Sequence, residues 1–334
     1  MTWQFEHVTL GQRVRFGTGT AADDLAAEVA RLGARRVLVI SAEAVAAEVT
    51  AKIDVAALCT DVAPHVPVEN AERARALAVE SGADLLVSVG GGSTTGLAKA
   101  IALTTGLPIV AVPTTYAGSE ATNVWGLTEA ARKTTGSDDR VLPVTVVYDT
   151  TLTASLPRDL AIASGCNALA HCVDSMWAPR TDPINQALAL EGMRALSRGL
   201  RTPGDREQML YGAYLAAVAF ASAGSGLHHK ICHVLGGAYN LPHAETHTAV
   251  LPHVLAFNGP AVPEAAARIE EALGGGLIDL YDEVGASHVL RGVPDVREAA
   301  RLVLPSVPPS NPREVTEDDL ISLLTAAQNP SGAS

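Results

Sequence analysis

The sequence predicts an α/β N-terminal domain built on a parallel sheet, followed by an all-α C-terminal domain. Three observations predict it. Short apolar runs alternate with Ala-rich stretches between Arg13 and Asp149, β signals stop at Asp149, and helical periodicity dominates from Leu156 onward. Strands covered by helices on both faces read as near-continuous apolar runs, which is the pattern of the first half. The boundary falls near Leu156 and Pro157, giving a nucleotide-binding domain over residues 1–155 and a helical domain over residues 156–334.

The strands are expected at residues 36–41 (RVLVIS), 56–62, 84–89 (DLLVSV), 108–113 (PIVAVP) and 144–148, the last ending at Asp149. Ligands of such sheets sit at the carboxyl ends of the strands. The third run passes directly into Gly90, Gly91, Gly92, Ser93 and Thr94 and then into a helix. Glycines there let a ligand approach the backbone, and the free N–H groups of the next helical turn favour phosphate. A plain tight turn is the competing reading, because the run matches neither GxGxxG at the first βα turn nor the Walker pattern. A second turn, PTTYAGSE at 113–120, brings the hydroxyls of Thr114, Thr115 and Ser119 to the same end of the sheet. The first strand runs out through Ser41, Ala42 and Glu43, so no acidic residue is expected at its immediate end to grip a ribose 2′-hydroxyl, and loose selectivity between NAD and NADP follows. The irregular stretch after Trp125 suggests a hairpin carrying Lys133.

Helices are expected at residues 160–177, 183–198, 206–223, 227–235, 244–258 and 316–327. The longest apolar run, near residues 215–223, is too short to span a bilayer, and no basic-then-apolar leader opens the chain. A cytoplasmic protein is expected. A formal net charge of −12, with no dense Lys/Arg block, disfavours nucleic acid and anionic membranes as partners. The four cysteines contain no CxxC pair and are too few for a disulfide framework; Cys232 reads as a small buried thiol rather than a nucleophile.

Six of the ten histidines fall between Leu227 and Asn258. His229 and His233 share a helical face one turn apart, Gly236 and Gly237 are expected to break that helix, and Pro242 pre-sets the start of the next at His243. Taken singly, His228, His247 and His253 read as packed or solvated. His229, His233 and His243 together read as a site. In the helix before them Asn167, His171 and Asp174 lie on one face. Three imidazoles and a carboxylate would suit a divalent metal, but the residue one turn before His171 is an amide.

GGGS at 90–93, TTYAGSE at 114–120, NALAH at 167–171 and HHKICHVLGGAYNLPH at 228–243 together resemble the iron-containing alcohol dehydrogenase family, most closely its maleylacetate reductase branch. HVPVE at 65–69, WGLTE at 125–129 and KTTG at 133–136 resemble that branch too. The resemblance implies a Rossmann-like domain and a helical domain in a dehydroquinate synthase-like architecture, with the active site in the cleft between them and a homodimer as the assembly. It also implies that metal-dependent members bind iron or zinc through an aspartate, a histidine four residues later and two further histidines. This chain has Asn167 at the aspartate's position and His171, His229 and His243 at the histidine positions, so any bound metal would rest on those three, and none is expected to be required. His233 falls at the family's non-ligand active-site histidine, and Lys133 lies near either the dinucleotide or the substrate anion.

The implied activity is NADH- or NADPH-dependent reduction of the C=C bond of maleylacetate, a small dicarboxylate, to 3-oxoadipate in the degradation of aromatic compounds. Gly90–Thr94 would cradle the pyrophosphate, and His171, His229, His233 and His243 would act on the substrate, with His233 as the acid. The rivals are an iron- or zinc-dependent alcohol or hydroxy-acid dehydrogenase of the same family, a lyase of the dehydroquinate synthase type, and a non-catalytic nucleotide-binding module.

Overall fold

The computed structural model describes residues 4–129 and 132–329, except the side chains of residues 132 and 133. Contacts divide the chain into two compact units, Gly11–Leu156 and a second made of Met1–Leu10 with Pro157–Ser334.

The first unit contains β1 (Arg13–Gly17), α1 (Ala21–Leu32), β2 (Val37–Ile40), α2 (Ala46–Val49), β3 (Val55–Cys59), α3 (Val68–Glu80), β4 (Leu85–Gly90), α4 (Gly92–Thr105), β5 (Ile109–Pro113), β6 (Val124–Glu129), β7 (Arg132–Ser137) and β8 (Thr145–Asp149). Six strands pair in parallel in the order β1-β8-β5-β4-β2-β3, and β6 and β7 form a separate antiparallel hairpin. The apolar runs are continuous because alternate residues serve two cores. Val37, Val39, Leu85 and Val87 pack with Leu25 of α1 on one face, while Leu38, Ile40 and Leu86 pack with Ala71, Ala74 and Leu97 on the other. The chain runs outward from β2 to β3, then returns to β4 and proceeds the other way through β5 to β8. The direction therefore reverses between β2 and β4, and the crevice outside the carboxyl ends of such a pair is where open α/β sheets bind ligands.

The second unit contains α5 (Arg158–Ser175), α6 (Pro183–Arg201), α7 (Arg206–Ala223), α8 (Leu227–Tyr239), α9 (His243–Asn258), α10 (Pro263–Leu273), α11 (Leu277–Val284), α12 (Val296–Val303) and α13 (Glu317–Gln328). Helix α5 is its axis: every residue from 162 to 175 is buried, and α6, α7, α8 and α9 all contact it. Among the described residues no single helix is long and apolar enough to cross a membrane.

Three expectations change. Helix α8 does not break at Gly236 and Gly237; it continues to Tyr239 and ends at Asn240, whose φ of 51° makes a left-handed terminus. Each glycine costs a helix about 1 kcal/mol, and the burial of Ile231 and Leu235 in a core shared with α12 and α13 outweighs that cost. Helices α10, α11 and α12 occupy a stretch of the expected all-α domain in which no individual helix had been delimited. Residues 4–10, assigned by sequence to the nucleotide-binding domain, group by contacts with the helical unit. His7 Nδ1 lies 2.9 Å from Asp182 Oδ2, while Oδ1 of Asp182 caps the start of α6 at Ile184 and Asn185.

The buried carboxylate of Glu28 fastens α1 to the sheet, 3.0 Å from Arg13 Nε, 2.7 Å from Arg31 Nε and 2.9 Å from Thr145 Oγ1. Burial works to raise its pKa, but the hydrogen bonds from Arg31 and Thr145 and the charges of Arg31 and Arg13 outweigh it and hold the group below its ordinary value of 4.5. A carboxylate lowered in the folded state stabilises above its unfolded pKa and loses that contribution as the pH falls through its folded value. Glu28→Gln is expected to cost about 1–3 kcal/mol at neutral pH. In thermal melts at a series of pH values the gap from wild type should close as the pH falls below 4.5.

Candidate active site

In the first unit two turns meet at the carboxyl ends of β4 and β5, where Gly90 stands opposite Pro113. Gly90 has φ +150°, and a Cβ there would lie 2.5 Å from Thr94 Oγ1 and 3.1 Å from Glu43 Oε1, so both the backbone and the space demand glycine. A Cβ on Gly91 or Gly92 would press on Thr115 or Ala117, so these glycines also let the second turn lie against the start of α4. No side chain caps α4 at Gly91. Its leading N–H groups, with half-buried Ser93 and buried Thr94 in the first turn, make an anion-seeking end. Thr115 Oγ1 is buried with no hydrogen-bond partner. Ser119 contributes its carbonyl to Lys99, whose Nζ lies 2.6–3.0 Å from the carbonyls of Ser119, Thr122 and Val124 and from Thr122 Oγ1. Burial pushes Lys99 down to about 7, partly opposed by Glu120. Sequence reading passed over this lysine because it sits in an Ala-rich helix with no motif around it. The expectation that no acidic group attends the end of β2 is also corrected, since Thr114 Oγ1 donates to Glu43 Oε1 at 3.0 Å and so draws that carboxylate back to the switch point. Lys133 lies opposite Thr128 in the hairpin; its side chain is outside the described residues.

In the second unit six imidazoles form one cluster. His171 stacks on His229 with ring centroids 4.8 Å apart, His229 contacts His228 at 5.1 Å, His247 at 4.7 Å and His233 at 5.9 Å, and His243 lies 4.3 Å from His247 and 6.3 Å from His233. Phe220 of α7 closes one side, 4.3 Å from His229. His171, His228, His229 and His247 are buried, His233 is half-buried and His243 is exposed. Burial pushes His171 down to about 4 and His228 down to about 3, and burial followed by repulsion from neighbouring imidazoles pushes His229 and His247 well down. The buried rings are therefore neutral at physiological pH.

The four histidines singled out by sequence, His171, His229, His233 and His243, all join this cluster, and so do His228 and His247, which singly read as bystanders. They share a hydrogen bond, His228 Nε2 to His247 Nδ1, of 3.0 Å. Their spacing across two helices and a turn carries no local signal. His253 stays outside the ring contacts. Cys232 is buried and its thiol is pushed well up by burial, in keeping with a packed thiol rather than a nucleophile.

Asp174 holds the centre. Its Oδ2 accepts the backbone N–H groups of Gly226 and His229, each at 3.1 Å, and lies 2.7 Å from His229 Nδ1. Burial pushes its carboxyl up to about 7 against those N–H bonds. Asn167 is buried one turn before His171, and its Oδ1 has no hydrogen-bond partner; the same holds for His171 Nδ1 and His229 Nε2.

A family profile for the iron-containing alcohol dehydrogenases matches residues 11–150, and a profile for the C-terminal part of the Fe-containing alcohol dehydrogenase family matches residues 161–328. The chain belongs to the iron-containing alcohol dehydrogenase family. Within it, a maleylacetate reductase of Sphingobium indicum is 44% identical, with 97% of each chain covered. Among solved structures of the family, an iron-containing alcohol dehydrogenase from Corynebacterium glutamicum is 55% identical with a TM-score of 0.95, and 98% of each chain is covered. A maleylacetate reductase from a Rhizobium species is 40% identical with a TM-score of 0.89, again over 98% of each chain.

The residues at the family's metal positions do not make a preformed metal centre here. Asn167, His171, His229 and His243 bring no carboxylate, and the nearby carboxylate of Asp174 already accepts two backbone N–H groups through Oδ2, which also lies 2.7 Å from His229 Nδ1. Among the described residues the set of three ligand-type side chains whose ligand atoms all approach within 4.8 Å is instead His228, Cys232 and His247.

Gly226 gives a direct test of how tightly this centre is built. A Cβ there would lie 2.5 Å from Asp174 Oδ1, whereas nothing lies within 4 Å of a Cβ on Gly236 in the middle of α8. Gly226→Ala is expected to cost about 1–3 kcal/mol, while Gly236→Ala should stabilise by about 0.5–1 kcal/mol. Paired thermal melts of the two variants check both signs.

Proposed function

We propose that the chain is an NADH-using reductase that converts maleylacetate to 3-oxoadipate, placing it in the degradation of aromatic compounds. The likeness to maleylacetate reductases over nearly the full length of both chains carries this reading, and the chemistry of the histidine cluster agrees with it. The first unit holds the dinucleotide, with its pyrophosphate at Gly90–Thr94 and hydroxyl contacts from Thr114 and Thr115. The second unit holds the small dicarboxylate.

The substrate is a 4-oxo-2-enedioate. Hydride from the reduced nicotinamide adds to the alkene carbon β to the ketone, and the electron pair moves to the ketone oxygen as an enolate. A proton then adds at the neighbouring carbon. This chain's own residues need to bind two carboxylates, steady the enolate and deliver that proton. Half-buried His233 and exposed His243 can recover protons from solvent, which the buried rings behind them cannot do readily, so His233 is the acid and His243 a partner for the substrate's charge. His171 and His229 line the dry wall with Asn167. A hydrogen-bond donor other than neutral His229, aimed at the enolate, acts strongly where water is excluded. A conjugated ketone needs less polarisation than an isolated carbonyl, so the reduction proceeds on these residues without a metal.

Glu43 favours NADH over NADPH, because a carboxylate at the carboxyl end of β2 accepts from a ribose 2′-hydroxyl and repels a 2′-phosphate. The product assay is loss of nicotinamide absorbance with maleylacetate, accompanied by an equal amount of 3-oxoadipate. Turnover of simple alcohols with NAD⁺ and none of maleylacetate would refute the reading. Glu43→Gln should lower the NADH-to-NADPH ratio of kcat/KM by about tenfold, the worth of one hydrogen bond to a charged group.

A further inference from the structure

We infer that Asp174 is a positioning residue that fixes the tautomer of His229, locking the proton on Nδ1 so that Nε2 meets the reacting site as a bare acceptor. The inference deepens the proposed reading of the histidine cluster, but its primary readout does not depend on that reading.

The assignment rests on hydrogen-bond accounting. Asp174 Oδ2 receives the backbone N–H groups of Gly226 and His229 at 3.1 Å each. An oxygen already accepting two donors is itself an acceptor, and if the carboxyl carries a proton that proton resides on Oδ1, which has no partner. His229 Nδ1, 2.7 Å from Oδ2, is then the donor whatever the charge on the carboxyl. The neutral ring consequently leaves Nε2 unprotonated, and that atom is buried without a protein partner.

Several features hold the arrangement in place. The carboxylate sits where α8 begins, between the N–H of its capping residue and that of its third residue, so the same group starts the helix and aims the ring. Gly226 leaves room for it. Phe220 and His171 both pack against the His229 ring, with centroids 4.3 Å and 4.8 Å away, and against each other at 4.8 Å, which disfavours a ring flip. A fixed acceptor at Nε2 orders a donor beside it, such as the His233 ring, whose centroid is 5.9 Å away. It also means that neutral His229 does not donate to an enolate, and the proton comes from another ring.

Nitrogen chemical shifts of histidines in ¹⁵N-labelled full-length protein, with the His229 signals assigned by their loss in His229→Gln, read the tautomer directly. Wild type should show Nδ1 protonated and Nε2 bare at neutral pH. In Asp174→Leu no acceptor faces Nδ1, and the tautomer should shift to the Nε2-protonated form that a free imidazole prefers, with kcat falling about 10- to 100-fold. Asp174→Glu should restore the original tautomer and part of kcat. A merely structural role would lower the melting temperature in both variants without reversing the tautomer. An Nε2-protonated His229 in wild type overturns the inference even if no variant folds, and so does reversal in Asp174→Leu with kcat unchanged. If wild type shows the expected tautomer yet does not reduce maleylacetate, the proposed substrate fails and the assignment of Asp174 stands.

Discussion

The hydrogen bond between Asp174 and His229, 2.7 Å long and closed to solvent, ties the helical unit's architecture to its chemistry. Asp174 lies near the end of the fully buried stretch of α5, and its Oδ2 also receives the first N–H groups of α8. The start of α8 is thereby pinned to the central helix, and the direction of α8 decides where His228, His229, Cys232 and His233 point. Helix α9 then brings His243 and His247 onto the same cluster. Without a carboxylate at position 174 the N-terminus of α8 would lose its cap and a buried imidazole its partner together.

Charge is the second constraint. Imidazoles packed this closely in a dry interior cannot all carry protons, because burial and mutual repulsion both act against the cation. The cluster is graded accordingly, from neutral buried rings at His171, His228, His229 and His247 to half-buried His233 and exposed His243. That gradient separates a dry wall of neutral rings from two rings open to solvent. An amide at position 167 keeps the wall uncharged. In the α/β unit the corresponding economy is spatial: Gly90, Gly91 and Gly92 let two turns and the Glu43 carboxylate crowd the switch point between β2 and β4.

Much of this was legible in the sequence where the signal is local. The inner strands β2, β4, β5 and β8 show as apolar runs because both faces are buried, and α5 to α9 show as long stretches without strand signals. The edge strand β1, RVRFG, carries no such run and was not expected. The continuation of α8 through Gly236 and Gly237 was not, since propensity opposes it and only packing against α12 and α13 sustains it. Helices α10 to α12 are short, and their amphipathic patterns, PEAAARIEEAL, LIDLYDEV and VREAARLV, were passed over. At the site, His171, His229, His233 and His243 were readable from spacing and from family resemblance. The membership of His228 and His247 was not, because each points inward only through the crossing of α8 and α9. Asp174 stood on the right face of α5, but its partner is 55 residues away and no pattern announces the pair. Glu43 was misjudged because a flexible side chain folded back to Thr114 after the strand had ended.

If this histidine cluster reduces an activated alkene through protein donors alone, as proposed, no metal is needed for turnover. Reduction of maleylacetate by NADH should be followed with protein that has been exhaustively treated with chelator and whose residual iron and zinc have been measured. The account predicts undiminished turnover at metal contents far below one ion per chain, with no gain on adding Zn²⁺ or Fe²⁺. Turnover that vanishes with the metal and returns in proportion to added Zn²⁺ or Fe²⁺ would contradict it and place a metal among Asn167, His171, His229 and His243.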